Sequence, residues 1–572
     1  MYKKIFIFVL PLILAGSSLC ATQVADYEVA KAKIENIMAH EETGIAAYNK
    51  KNIHCAETKS LACDLNVKAI ALFFDCKTVV GNAFIAEILK QPVSPQDRDT
   101  ILLNRQNIIK FLVNDPAFKV EITQLLDEAR VAEQESIILL SDFFKGKTCP
   151  ELKQLELIRQ QNPLLAPAIE VFMVNQTAKT VSTAWNLFTA GVGLGTLGFA
   201  APFVVNAIRM GNCSRKVGFF VAYLALGTGI NVYSLGKDYA LASEKRVKMH
   251  ALSSLVAIAE KFELLCVKHG LKNQFKISNI QDQQGADLVA RLKHSRYQKK
   301  SCWLFSTPAV HTFLYKIYQQ EKYFAEVFAS IAEMDAYNAI ATKIIASQGT
   351  NNQMCFVSFL DNEKPSITIK GFWNVLVKGA VANDIVEQRH IILTGPNAGG
   401  KTTSIRAILQ NIIIGQSFGV AAAQVCEFTM FDMIYSYLNI SDDLVNGLSL
   451  FASEVKRAQE IIESIKTLAP QKKFFFALDE LFTGTAAAEG EICAYNFIQR
   501  IAVSEGVQFV YATHFNKLKE LEFDNNQRCM NYQVGAPIKN EQGKLVYPFT
   551  FYQGASDSCV ALDMAKEANL FA

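Results

Sequence analysis

The strongest constraint on how this chain can fold is the run Gly395, Pro396, Asn397, Ala398, Gly399, Gly400, Lys401, Thr402 and Thr403, entered from the apolar residues 391–393. Its spacing, G-x4-G-K-T, is that of a phosphate-binding loop between a buried strand and a helix. The glycines let the backbone curl so that successive N–H groups face one anion. The dipole of the helix predicted from 403 to about 415 favours the same charge. In that arrangement Lys401 reaches the β- and γ-phosphates and the Thr402 hydroxyl holds Mg²⁺. A plain glycine turn is the competing account; the full spacing and the flanking elements weigh against it.

A phosphate loop of this kind needs a second strand that ends in acid. Residues 474–478 are an unbroken apolar run ending in Asp479 and Glu480, as suits a buried parallel strand. Asp479 is expected in the Mg²⁺ shell, and Glu480 is expected to polarise the attacking water, as a base or as a positioning group. A third strand-like run, 508–512, apolar after Gln508, ends in Thr513 and His514. A histidine at a strand end is placed to sense a γ-phosphate. Between these runs, the Asn446-Gly447 turn precedes Ser449, where a helix to about 466 is predicted to begin. A hydroxyl at a helix N-terminus is a second phosphate-reading device, best explained as reaching across to another subunit's nucleotide.

The rest of the chain reads differently. Its 572 residues predict roughly two to four domains. Half are hydrophobic and 19% charged, and the apolar excess sits at the N-terminus and around 185–235. Residues 1–21 read as a signal peptide: Lys3 and Lys4, an apolar run, then small residues up to Ala21. A first core helix is the alternative. Residues 22–180 have helical periodicity. Residues 185–235 hold two uncharged, glycine-containing runs around a turn with Arg209, Arg215 and Lys216, which predict a two-helix transmembrane hairpin and hence a membrane location. A buried hairpin of a soluble protein is the alternative. Residues 237–345 return to helix, including an amphipathic one at 331–341, and short β-like runs at 355–360 and 366–369 open the region 350–572. A cleaved signal plus two crossings would leave the nucleotide site outside the cytoplasm, a conflict the sequence leaves open. The net charge of +3 predicts no strong general attraction to nucleic acid. The cluster of Cys55, Cys63 and Cys76 beside His54 has irregular spacing for zinc, and ordinary thiols are the simpler account.

The motifs together resemble the MutS family of mismatch-repair ATPases. The loop 395–403 is similar to that family's phosphate loop. Asp442-Asp443 with Gly447, Ser449, Phe451 and Glu454 resembles its signature segment, Asp479 to Thr485 its acidic strand and following loop, and Ala512-Thr513-His514 its switch histidine. Val381 to Asp384, Gly415 to Ala421 and the tail from Tyr547 to Ser558 fit as well. The resemblance covers about 380–570, and residues 64–112 resemble less closely the start of the family's helical core and lever. It implies an α/β P-loop NTPase domain (MutS/ABC-like) at the C-terminus, preceded by an all-α core and lever-like region. It also implies ATP and Mg²⁺ as cofactors, a homodimer closing around nucleotide, and DNA as a partner, which the charge does not support. The chain departs from the family at Leu450, Phe482-Thr483 and Ala380, where the family has a second hydroxyl, usually Gly-Arg, and an aromatic often stacked on adenine. The mismatch-reading domain with its Phe-x-Glu wedge has no counterpart. By the resemblance, the hairpin is expected where the family has its DNA clamp, and the terminal helix-turn-helix of the family is not expected within the sequence to Ala572.

Overall fold

The computed structural model describes residues 64–144, 244, 246–271, 283–292, 317, 320–396, 398–438, 450–468, 471–524, 527–541 and 545–556. The predicted signal peptide, the predicted hairpin, Cys55, Cys63, Asn397 and Ser449 lie outside the described residues. The chain divides into two compact units. One takes residues 1–37, 125–265 and 273–331; the other takes 38–124, 266–272 and 332–572.

The labelled helices are α1 (Val67–Phe74), α2 (Val79–Lys90), α3 (Leu103–Asn114), α4 (Pro116–Phe144), α5 (Gln283–Leu292), α6 (Glu321–Ser347), α7 (Lys401–Phe418), α8 (Leu450–Leu468) and α9 (Ala487–Ala502). Residues 246–268 are also helical. The strands are β1 (Cys355–Phe356), β2 (Ser358–Leu360), β3 (Ile367–Phe372), β4 (Asn383–Glu387), β5 (His390–Thr394), β6 (Val420–Ala421), β7 (Val425–Thr429), β8 (Met433–Tyr437), β9 (Phe474–Asp479), β10 (Val507–Ala512), β11 (Cys529–Val534), β12 (Ile538–Lys539), β13 (Leu545–Val546) and β14 (Phe551–Gln553). In the first unit, all regular structure among the described residues is helical.

The second unit is built on a six-stranded sheet ordered β14-β11-β5-β10-β9-β8. Its neighbours are parallel except β11 with β14. The central strands β5 and β10 are buried at every position, so they have no polar face to alternate with, as expected of a parallel sheet covered on both sides. Phe474, Phe476, Leu478, Phe509 and Tyr511 pack there with Ala458 and Ile461 of α8 and Phe497 and Ile501 of α9. A second sheet, β2-β7-β3-β4, is mixed, and β1 pairs with β6. The region is thus α/β with mixed sheets.

Helix α7 runs from the phosphate loop into the core and is buried without a break from Ala407 to Phe418. Its C-terminal end is held by the helical segment before it. Arg105 of α3, 1% exposed, donates to the Ser417 carbonyl at 2.7 Å, where a cation meets the negative end of the helix dipole. Gln106 donates to the carbonyls of Gly419 at 2.8 Å and Val357 at 2.9 Å. Gly419 ends the helix at φ 71°, and a Cβ there would stand 2.8 Å from that of Gln106, so glycine is required on both counts.

Two expectations are corrected. The segment 331–341 was expected to be amphipathic, but residues 327–341 are buried on every side, Glu333, Asp335 and Asn338 included. Polar residues in such a helix survive by being hydrogen-bonded. Asp335 Oδ2 accepts from Thr78 Oγ1 at 2.6 Å and Thr78 N at 2.7 Å, and Oδ1 accepts from Lys77 N at 3.1 Å. The membrane location is also overturned. No helix among the described residues is long and apolar enough to cross a membrane. The two longest carry charge along their length, such as Asp127, Glu128 and Arg130 in α4 and Glu326, Glu333 and Asp335 in α6, which hydrocarbon would leave unsolvated.

Candidate active site

Strands β5, β10 and β9 are neighbours running the same way, so their C-terminal ends open on one edge of the sheet. In open α/β sheets that edge is where ligands bind. The sequence reading placed its acid, its histidine and its phosphate loop at these ends, and the chain brings them together.

The phosphate loop leaves β5 at Thr394. Gly395 and Gly400 have φ of 148° and 99°, and Ala398 takes φ 62°. That is an uncommon conformation for a residue with a Cβ, and such residues gather at ligand sites. A Cβ on Gly395 would lie 3.2 to 3.3 Å from Val534, so the backbone itself passes against β11. Helix α7 opens at Lys401 with no side chain capping its first turn. Its first amide donors therefore suit an anion.

Lys401 is 5% exposed. Its ammonium donates to the carbonyls of Gly395 at 3.1 Å and Pro396 at 3.3 Å, and lies 3.0 Å from His514 Nε2 and 3.9 Å from Glu480 Oε1. Burial pulls its pKa down, against the charges of Glu480 and Asp479. Glu480 Oε1 stands 2.7 Å from His514 Nε2. That bond, with the charges of His514 and Lys401, holds the Glu480 carboxyl below its usual range despite partial burial. Glu480 also takes φ 49° immediately after β9, and its N–H donates to the Ala512 carbonyl at 3.0 Å.

Thr402 Oγ1 donates to Asp479 Oδ2 at 2.5 Å. The other carboxylate oxygen, Oδ1, is buried with no hydrogen-bond partner, and burial raises the Asp479 pKa. A hydroxyl and a buried carboxylate with an unused oxygen are hard donors of the type Mg²⁺ takes, so the pair fits the metal. Among the described residues no group of three or more His, Cys, Asp or Glu is placed to hold a metal by itself. Mg²⁺ sites of this type usually rely on one or two carboxylates, phosphate and water. Cys76 is a free, buried thiol.

Thr403 is reached from outside the loop, its carbonyl accepting from Asn374 Nδ2 at 3.1 Å. Two further contributors entered the sequence reading only as members of resembling segments, with no role assigned. Phe549, 43% exposed, stands over the loop: a Cβ on Gly400 would lie 3.1 Å from its Cδ1. Asn383 of the 381–384 segment fixes that stretch, donating to the Phe549 carbonyl at 2.9 Å and accepting from Phe551 N at 2.7 Å. The signal for Phe549 was present only as the tail's resemblance, because nothing local ties 549 to 400.

Comparison with known proteins agrees with this geometry. Residues 391–571 match the family model described as MutS domain V. The chain is 30% identical over 193 residues to the DNA mismatch repair protein MutS of Chlorobium phaeobacteroides, covering 33% of this chain and 21% of that protein. It is 27% identical over 305 residues to the MutS of Chlorobaculum tepidum, covering 48% and 34%. With the DNA mismatch repair protein MSH7 of Arabidopsis thaliana it shares 24% over 382 residues, covering 60% and 32%. The chain thus spans between a fifth and about a third of the length of these curated relatives.

Proposed function

This chain is a divergent member of the MutS family, and from that premise we propose that it binds and hydrolyses ATP with Mg²⁺ and couples the nucleotide to its helical region, acting on DNA as its relatives' names describe. The observation that carries the reading is the meeting of Lys401, Thr402, Asp479, Glu480 and His514 at three adjacent strand ends, beside a helix whose first turn is uncapped.

Each residue then has a task. The amides of residues 395–403 and the Lys401 ammonium hold the phosphates. Lys401 does so by exchanging the loop carbonyls it now touches for stronger, charged acceptors. Thr402 and Asp479 hold Mg²⁺, which when bound neutralises charge on the phosphates. Glu480 stays ionised at neutral pH, and its lowered pKa makes it a poor proton acceptor, so orienting water is its better role. His514 keeps Glu480 in place and meets the terminal phosphate. The Phe549 ring offers a flat apolar face beside the loop for a base. Ser449 of a second copy would reach the same phosphates in a homodimer, which is how the signature segment acquires a purpose.

The deciding experiment is Mg²⁺-ATP binding and turnover by the whole chain against Glu480→Gln. Binding kept, with turnover down by about two orders of magnitude, supports the reading. No Mg²⁺-dependent adenine-nucleotide binding by the unaltered chain removes it. Turnover raised by mismatched duplex DNA, and sedimentation as a dimer with ATP, test the partner and the assembly separately.

A further inference from the structure

The turn that follows Glu480 is held by a residue of another helix. Glu454, in the first turns of α8, is 2% exposed. Its Oε1 accepts from Thr483 N at 3.1 Å and its Oε2 from Gly484 N at 3.2 Å. One carboxylate thus closes on two successive amides, the arrangement by which a backbone turn binds an anion. The approach is close: a Cβ on Gly484 would lie 2.7 Å from Phe451 N and 3.1 Å from Glu454 Oε2.

The same turn is strained and wedged. Glu480 and Phe482 both have positive φ, 49° and 62°, a left-handed conformation that strains a residue with a Cβ. Phe482 is buried edge-on against Phe451 of α8 at 6.4 Å and Phe497 of α9 at 6.0 Å. Its carbonyl would stand 2.3 Å from a Cβ on Gly490. A turn in this conformation persists only where its surroundings over-determine it, and here those surroundings are α8 and α9.

We propose that Glu454 is a positioning residue that makes the first turns of α8 and the turn 480–484 one rigid piece, so that the orientation of α8 sets the orientation of the Glu480 carboxylate. The inference rests on the ATPase reading for its kinetic consequence but not for the grip itself. Glutamine at 454 keeps the shape, loses the charge and turns an N–H₂ toward an N–H, so one of the two bonds is lost.

The test compares the whole chain with Glu454→Gln and Glu454→Asp. Glu454→Gln is expected to lower kcat about tenfold, with KM for Mg²⁺-ATP and fluorescent-nucleotide affinity within about twofold. Amide exchange at Thr483 and Gly484 should rise from slow to fast. Glu454→Asp, which keeps the charge and shortens the arm, should recover part of both effects. Unchanged kcat, or equal losses in kcat and nucleotide affinity, overturns the positioning role while leaving the ATPase reading standing. If the unaltered chain binds no nucleotide, the ATPase reading fails instead. The exchange rates then decide alone: slow in the unaltered chain and fast in Glu454→Gln supports the grip, equal rates overturn it.

Discussion

His514 Nε2 lies 3.0 Å from Lys401 Nζ, and the same nitrogen is 2.7 Å from Glu480 Oε1. A ring nitrogen has either a proton for the carboxylate or a lone pair for the ammonium, never both. The trio is therefore frustrated as it stands, and an anion that draws Lys401 away releases it. His514→Ala is expected to leave Mg²⁺-ATP affinity within about threefold and to lower kcat by roughly 10- to 100-fold. Single-turnover kinetics beside equilibrium titration separates the two quantities. A parallel loss of affinity would make His514 a binding group instead.

The unused oxygen of Asp479 predicts where the metal enters. Asp479→Asn removes the charge but keeps an acceptor for Thr402. Nucleotide affinity in Mg²⁺ should then fall to about the level the unaltered chain shows in EDTA, a loss on the order of 10- to 100-fold. Calorimetric titration with and without Mg²⁺ reads it directly.

Phe549 predicts a contribution that triphosphate alone lacks. If its ring carries the base, Phe549→Ala should weaken ATP about tenfold, since stacking of a base on an aromatic contributes roughly 1 to 3 kcal/mol. Inorganic tripolyphosphate should compete equally well with both proteins. Equal weakening of both ligands would mean that the ring supports the loop rather than the base.

His390, at the start of β5, predicts an acid-sensitive fold. It stacks on Phe509 at 4.2 Å with ring planes 2° apart, and Nε2 lies 3.1 Å from the Ala502 carbonyl. Burial lowers its pKa from 6.5 to about 4. The folded state therefore binds fewer protons than the unfolded one between those values. The stability associated with the neutral ring is complete above about pH 6.5 and is lost as pH falls toward 4, by about 3 kcal/mol in all. Urea midpoints at pH 7.5 and 4.5 measure the slope. In His390→Gln the slope should be shallower.

What the sequence made legible is the part of the site whose residues are neighbours in the chain. The loop 395–403 carries its own spacing, and Asp479, Glu480 and His514 each end an apolar run, so their convergence follows once the runs are parallel strands. The grip of Glu454 on Thr483 and Gly484 was not legible, because it joins a helix to a turn beyond the next strand. Glu454 itself shows only as a member of a motif. The burial of Asp335 was missed for another reason. Its partners are the amides of Lys77 and Thr78 and the Thr78 hydroxyl, far away in the chain, which leave no trace in local periodicity, so the segment 331–341 read as amphipathic. The membrane reading failed because apolar content was taken as a location. The described helices show the limit of that step: α7 is largely apolar and buried, yet it is covered by protein.

Helix α7 has its first turn at the phosphate loop and its last carbonyls in the hands of Arg105 and Gln106. Its 18 residues make a strut roughly 27 Å long. Such a strut, packed on all sides along its distal half, is stiff against bending and free only to tilt or slide. A displacement of its near end by one phosphate group would thus arrive at α3 as leverage on a buried guanidinium. No break in the helix separates the loop from that contact with α3.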